Sequence, residues 1–148
     1  MAFIIKKLEP LDVDLARQLF MFFQTDDAVA DPVTPSDEYL RMLLLKNEFH
    51  VLVALQNNCF AGGLTAYELP MYKEEINEMF LYEIAVVPEY RQMGVAKSLI
   101  ESLKDICINR HIKEMYVGTS TDNDAAVKLY KSGGGRADDK IAWFVYSL

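Results

Sequence analysis

Glu83 interrupts an otherwise apolar run from Met79 to Val87, and a carboxylate in such a run is costly to bury unless it is paired or faces a wet cleft. Two readings stand side by side: a sheet-end acid or structural ion pair, and a general base at a pocket, possible directly or through a water. Immediately downstream, Val86-Val87-Pro88-Glu89-Tyr90-Arg91-Gln92-Met93-Gly94-Val95-Ala96 runs from strand to turn to amphipathic helix. A helix start presents unpaired N–H groups and the positive end of the helix dipole. Gly94 and Ala96 let an anion approach the backbone, so the N–H groups from Gln92 to Lys97 read as a pyrophosphate seat. A plain strand-to-helix turn would tolerate the same glycine. Neither the three-glycine dinucleotide fingerprint nor a P-loop fits this stretch.

The elements that must carry these residues follow from periodicity. Strands are expected at Phe3–Leu8, Phe49–Leu55, Cys59–Tyr67, Met79–Val87, Ile112–Thr119 and Ile141–Tyr146; helices at Leu11–Phe23, Leu45 back to a Ser36 cap, Val95–Ile108 and Asp124–Lys131. Gln56-Asn57-Asn58 reads as a hairpin turn, and the stretch from Gln24 to Pro35, with its Asp and Pro residues, as a loop. The order β-α-α-β-β-β-α-β-α-β is an α/β (α+β) arrangement, a mixed and mostly antiparallel sheet flanked by helices, in one domain over 1–148. The Met79–Val87 run suits a strand covered on both faces. Strict alternation would put Glu83 with Leu81 and Ala85, and Tyr82 on the opposite face, in the core instead of the site.

The 148 residues carry a net charge of -7, which argues against a nucleic-acid partner. Residues 1–90 hold 15 acids and 6 bases, whereas residues 91–131 hold 7 bases and 5 acids. The division suits an anionic ligand at the turn and a cationic one elsewhere, and it also suits ordinary solubility. No apolar run is long enough to span a bilayer, the start of the chain lacks a signal-peptide pattern, and Cys59 and Cys107 read as reduced core thiols, so a cytoplasmic setting is expected. His50 and His111 have no neighbours at metal-ligand spacing, so no metal is expected.

A second constellation, Asn123-Asp124-Ala125-Ala126-Val127-Lys128-Leu129-Tyr130, follows the fifth expected strand. Arg91-x-x-Gly94-x-Ala96 and Asn123-x-x-Ala126-x-x-Leu129-Tyr130, in this order and separation, resemble the two signature segments of the GNAT superfamily of N-acetyltransferases. Ala66-Tyr67-Glu68-Leu69-Pro70, Leu81-Tyr82-Glu83-Ile84-Ala85-Val86 and the region from Met21 to Leu45 are similar to the class I aminoglycoside 3-N-acetyltransferases. The resemblance implies acetyl-CoA as co-substrate and direct transfer of acetyl to a primary amine of a small cationic acceptor, an aminoglycoside at its 3-N position. Other acceptors are a polyamine or a protein or peptide amine; a non-catalytic coenzyme A-binding module is the alternative of a different class.

On that resemblance Glu83 and Tyr130 are the catalytic base and acid, Tyr130 protonating the leaving thiolate; otherwise Tyr130 is a packed helical tyrosine. Cofactor contacts fall to Ile84, Ala85, Val86, Arg91, Gln92, Met93, Gly94, Val95, Ala96, Lys97, Asn123, Ala126 and Tyr130. Asn123 serves equally as a helix cap. Asp27, Tyr82, Glu83 and Asp124 are the substrate-binding candidates, with Asp26 and Asp31 on the same acidic loop. The sequence does not give the oligomeric state; the family's fold often pairs through its later strands, which leaves a homodimer open. Gly133-Gly134-Gly135 stands where the family usually has Leu-Gly-Phe, removing apolar cover after Tyr130.

Overall fold

The computed structural model describes residues 2–148; Met1, where the targeting-signal reading begins, lies outside them. Chain contacts divide the protein into two compact units, one ending at Gly118 and one formed by Thr119–Leu148.

The first unit is built on a five-stranded sheet in the order β1-β2-β3-β4-β5. Its strands are β1 (Ile4–Lys7), β2 (Phe49–Gln56), β3 (Cys59–Pro70), β4 (Asn77–Val86) and β5 (Met115–Val117). Neighbours pair antiparallel except β4 and β5, which are parallel. The hairpin between β2 and β3 turns on Asn57 and Asn58, both at positive φ (49° and 65°). Asparagine tolerates this left-handed pair, which matches the twist of the flanking strands.

One face of the sheet packs on α1 (Val13–Asp26) and α2 (Asp37–Leu45). Ala16, Leu19, Phe23 and Leu44 meet Phe49, Val51 and Val53 there. The Ser36 side chain accepts from the Tyr39 N–H, capping α2 as its sequence predicts. α1 runs three residues beyond Phe23, so Asp26 is helical and Asp27 caps the helix end. Alternation sends Leu52 and its cross-strand partner Leu64 to the opposite face. That face is covered by α3 (Val95–Asn109), which buries Val95, Leu99, Ile100, Leu103 and Cys107. Cys59, expected in the core, is exposed at the hairpin, while Cys107 is buried.

Alternation fails once in β4. Thr65 pairs with Glu83 but Ala66 pairs with Leu81, so Tyr82 is an extra residue, a β-bulge. Leu81 therefore keeps the α3 face, while Glu83 stands beside Thr65 and Val51 on the α1 face. Tyr82 lies with them, its ring centroid 5.6 Å from Tyr67 and 5.5 Å from Phe80. Two expectations are thereby corrected: Glu83 does not share a face with Leu81, and Tyr82 is an exposed side chain on the same side as Glu83. For the same reason β4 is not covered on both faces along its length.

The second unit contains α4 (Asp124–Ser132) and no strand. The strand expected at Ile141–Tyr146 is absent: residues 141–148 form no ladder. A strand exists only where a partner takes its N–H and C=O groups, and apolar alternation alone does not supply one. Ile141, Trp143, Phe144, Val145 and Tyr146 are exposed. Among the described residues no helix is long and apolar enough to cross a membrane.

Candidate active site

The turn leading into α3 is shaped by left-handed residues. Gln92 (φ 61°) and Gly94 (φ 84°) flank Met93, an alternation that turns successive N–H groups toward one side. The first helical bond runs from the Ser98 N–H to the Gly94 carbonyl at 2.9 Å, leaving the N–H groups of Val95, Ala96 and Lys97 ahead of the ladder. A Cβ placed on Gly94 would meet no protein atom within 4 Å. The glycine therefore serves its backbone conformation and not internal packing, and the space in front of it is open. An anion such as a pyrophosphate fits these amides.

The Arg91 guanidinium is committed within the protein. Its Nε donates to the Val86 carbonyl at 2.9 Å and its terminal nitrogen to Asp26 Oδ1 at 2.9 Å. What Arg91 does is tie the turn, the end of β4 and the end of α1 together. Gln92, Met93, Gly94 and Lys97 are exposed, Ala96 is half-buried and Val95 is buried against the sheet.

Beside this turn, β4 has an open edge. β5 pairs with β4 only at Met79, Phe80 and Leu81, so Ile84, Ala85 and Val86 have β3 on one side and no strand on the other. Gly62 makes their approach to β3 possible, since a Cβ there would sit 2.6 Å from the Ala85 carbonyl oxygen. The sequence signal for it was a Gly62-Gly63 pair inside a strand pattern, which marks close backbone approach.

Glu83 opens onto the α1 face, half-buried, with the Asp27 side chain beside it. Burial disfavours its charge, and the neighbouring Asp27 acid adds to this, raising it to about 7. Tyr67 and Tyr82 stand next to it, and with Phe49, Phe80 and Tyr116 their rings form a continuous series across β2, β3, β4 and β5. Tyr39 of α2 is exposed. The structure thus brings Glu83, Asp27 and Tyr82 together and adds Tyr67, which lies in a stretch that carries the resemblance but was not among the expected site residues. Asp26 is held by Arg91, and Asp31 lies exposed on the loop after α1.

In the second unit, Asn123 Oδ1 accepts from the Ala126 N–H at 3.1 Å, so the side chain caps α4. Asp124 is exposed in the first turn, where its charge complements the helix dipole. Tyr130 is half-buried, and burial raises its phenol above the ordinary value. The glycines that follow close the helix: the Gly135 N–H returns to the Tyr130 carbonyl at 2.9 Å, and a Cβ on Gly135 would sit 2.8 Å from that oxygen. Among the described residues no group of three or more His, Cys, Asp or Glu side chains is arranged to hold a metal.

Solved structures share this fold. The structure is similar to an aminoglycoside acetyltransferase from an uncultured soil metagenomic sample, solved in complex with sisomicin, at a TM-score of 0.93 and 29% identity over 99% of this chain and 96% of that one. A second soil-metagenome aminoglycoside acetyltransferase matches at a TM-score of 0.90 and 30% identity, over 100% and 99% of the two chains. Among curated proteins, aminoglycoside N(6')-acetyltransferase type 1 of Salmonella typhimurium is 32% identical over 45% of this chain and 46% of its own length. The chain spans between 34% and 54% of the length of the curated relatives it matches. Residues 15–134 match the acetyltransferase (GNAT) family. A bulged β4 with an open edge, running into a glycine turn at a helix start, is the framework of this chain, and it belongs to the GNAT family of acetyltransferases.

Proposed function

We propose that the protein transfers acetyl from acetyl-CoA to a primary amine of an aminoglycoside. The observation that carries the reading is the bulge in β4, which sets Glu83 beside exposed aromatic rings and a second acid, on the strand that ends at the open amides of residues 92–97. Those amides would hold the pyrophosphate of coenzyme A, and the free edge of Ile84–Val86 would pair with its amide-bearing arm as an added strand. A backbone N–H near Val86 would stabilise the oxyanion formed on the thioester carbonyl.

The acceptor arrives as an ammonium, which has no lone pair. Glu83 removes one proton, and a carboxylate raised to about 7 is well matched to that task near neutral pH. The amine nitrogen then attacks the carbonyl carbon, and the carbon–sulfur bond breaks as the tetrahedral intermediate collapses. Tyr130 supplies a proton to the departing thiolate. No acyl-enzyme is required, and burial pushes the Cys107 thiol up to about 11, away from nucleophilic use. Asp27 would supply charge for one of the acceptor's remaining ammonium groups, and Asp124 is a substrate-binding candidate on the family resemblance alone.

The 3-N position is proposed from the likeness to the class I 3-N enzymes, while the curated relative from Salmonella typhimurium is named for the 6' position. Proton NMR of the acetylated product separates the two. The decisive assay is thiol release from acetyl-CoA with sisomicin, spermidine and a peptide amine offered in turn. Release with sisomicin and not with the others supports the reading. Release with the peptide alone would replace it with N-terminal acetylation, the activity named in the fission yeast relative N-alpha-acetyltransferase 30. Binding without release for every amine would leave a coenzyme A-binding module. Gel filtration tests the proposed homodimer, and fractionation tests the proposed cytoplasmic location.

A further inference from the structure

The face of the sheet that carries Glu83 also carries a row of rings set by strand register. Phe49 on β2 is the cross-strand partner of Tyr67 on β3, Tyr67 of Phe80 on β4, and Phe80 of Tyr116 on β5. Four rings on successive strands make a row about 14 Å long. The outer pairs pack as cross-strand aromatic neighbours do: Phe49 and Tyr67 lie 4.8 Å apart at 40°, and Phe80 and Tyr116 lie 5.0 Å apart at 20°. Packing accounts for these four positions.

Tyr82 does not belong to that row. It is the extra residue of the bulge, with no cross-strand partner, and a bulge re-aims the side chain it carries. Its ring stands almost at right angles to two members of the row, 5.6 Å from Tyr67 at 80° and 5.5 Å from Phe80 at 78°. Tyr82 is 59% exposed and Tyr67 37%, so neither ring is closed over by the core. Contiguous exposed aromatic surface marks a ligand site. Rings set at right angles form a corner, and the electron-rich faces of such rings attract a cation.

The charges on this face select the same class of ligand. Glu83 follows Tyr82 directly and stands on this side beside Thr65, and Glu78 lies on it two positions before Phe80. An anion is repelled by such acids, and a neutral apolar ligand gains nothing from them. A cation is attracted by acids and rings alike.

Resting on the reading of Glu83 as the base, we propose that the corner formed by Tyr67 and Tyr82 is a cation–π subsite for a second ammonium of the acceptor, one that does not react. The reacting amine gives its proton to Glu83, so its charge disappears before attack. A neighbouring ammonium keeps its charge throughout, and the rings beside Glu83 bind that one. The subsite thereby selects acceptors with at least two amines, and it orients them so that one amine reaches Glu83 while another rests on the rings. Tyr82 acts here through its ring and not through its hydroxyl, which separates this role from hydrogen bonding.

The test replaces Tyr82 by phenylalanine, and then by phenylalanines carrying one, two and three ring fluorines. Fluorine withdraws electron density from the ring face and keeps its shape. Sisomicin binding is followed by calorimetry and acetylation by initial rates. Tyr82→Phe is expected to bind as the wild type does. The dissociation constant and KM then rise stepwise with fluorine number, reaching about three- to tenfold with the third, and Tyr82→Leu shows a rise at least as large. Fluorination makes the ring more apolar, so a purely apolar contact gives constants that stay level or fall, which overturns the inference. A loss already complete in Tyr82→Phe also overturns it and assigns the role to the hydroxyl. A merely structural role shows as a lowered Tm with no dependence on fluorine number. If the fluorinated chains do not fold, Tyr82→Leu against Tyr82→Phe decides, and equal constants overturn the subsite.

The two readouts keep the conclusions apart. Stepwise weakening of sisomicin binding with no thiol release upholds the subsite and removes acetyl transfer. Acetylation with level constants removes the subsite and leaves acetyl transfer standing. Failure of the wild type to bind sisomicin overturns both.

Discussion

Two glutamates on neighbouring strands, Glu68 on β3 and Glu83 on β4, have opposite fates. Glu68 is the more deeply buried of the two. Its carboxylate is surrounded by donors: His50 Nε2 at 2.7 Å, Asn77 Nδ2 at 2.9 Å, and the Arg110 guanidinium. Burial alone would raise it, but the hydrogen bonds from Arg110, Asn77 and His50 outweigh that effect and hold it below the usual range. Glu83 is raised, first by burial and then by its neighbour Asp27, another acid that adds to the effect instead of offsetting it. Burial pushes both carboxyls upward, and the partners decide whether that push is offset by donors, as at Glu68, or reinforced by an acid, as at Glu83. The two also stand on opposite faces, Glu68 with His50 toward the end of α3 and Glu83 toward α1 and α2. The α3 side uses its charge to join elements, and the α1 side keeps its charge available to a ligand.

Exchanging the roles tests this contrast. The largest effect is expected at Glu83: Glu83→Gln should lower turnover about 10²–10⁴-fold, with the loss partly relieved at high pH, as read from initial rates across a pH series. Unchanged rates would remove the α1-side acid from the chemistry. Glu68→Ala should act on stability instead, costing about 1–3 kcal/mol in urea denaturation at pH 7, because buried His50 Nε2 loses its hydrogen-bond acceptor and the Arg110 guanidinium its counter-charge. A loss below the surface ion-pair range of roughly 1 kcal/mol would show that burial there is not sealed.

The pH dependence of stability should separate the same two groups. Glu68 is lowered on folding, so its contribution is present above the ordinary carboxylate range of 4.5 and is lost as pH falls through the lower folded value. Glu83 is raised, so its contribution is present below 4.5 and is lost as pH rises through about 7. Denaturation between pH 4 and 8 should therefore show a decline over the 4.5–7 window that Glu83→Gln removes. The smallest effect is expected for Asn77→Ala, which takes away one of several donors to Glu68 and should cost about 0.5–1.5 kcal/mol in the same assay.

Much of this was written locally in the chain. The Ser36 cap, the Asn57-Asn58 turn and the helix opening at Gly94 are decided by residues within four positions of one another, and the sequence reading placed each correctly. Glu83 stood out because a charge broke an apolar run. What local pattern could not supply was the bulge. Period-two reasoning assumes uninterrupted alternation, and an extra residue in β4 reverses the face of everything beyond it. The contact between Asp27 and Glu83 joins positions far apart in sequence and depends on the same bulge. The commitment of Arg91 to Asp26 was likewise invisible, since a lone arginine near a glycine turn reads first as a ligand for phosphate. The missing strand at Ile141–Tyr146 failed for the complementary reason: its alternation was present, but pairing is a property of two segments.

The bulge also constrains how β4 can be shortened. Tyr82 is the residue with no cross-strand partner, so deleting it would join Leu81 at Ala66 directly to Glu83 at Thr65 and preserve both halves of the ladder. Deleting Phe80 instead would carry Leu81 to the place opposite Tyr67 and expose it on the wrong side of the sheet. A one-residue deletion scan through this strand, read by soluble yield, should therefore find a single tolerant position in the middle of an intolerant run.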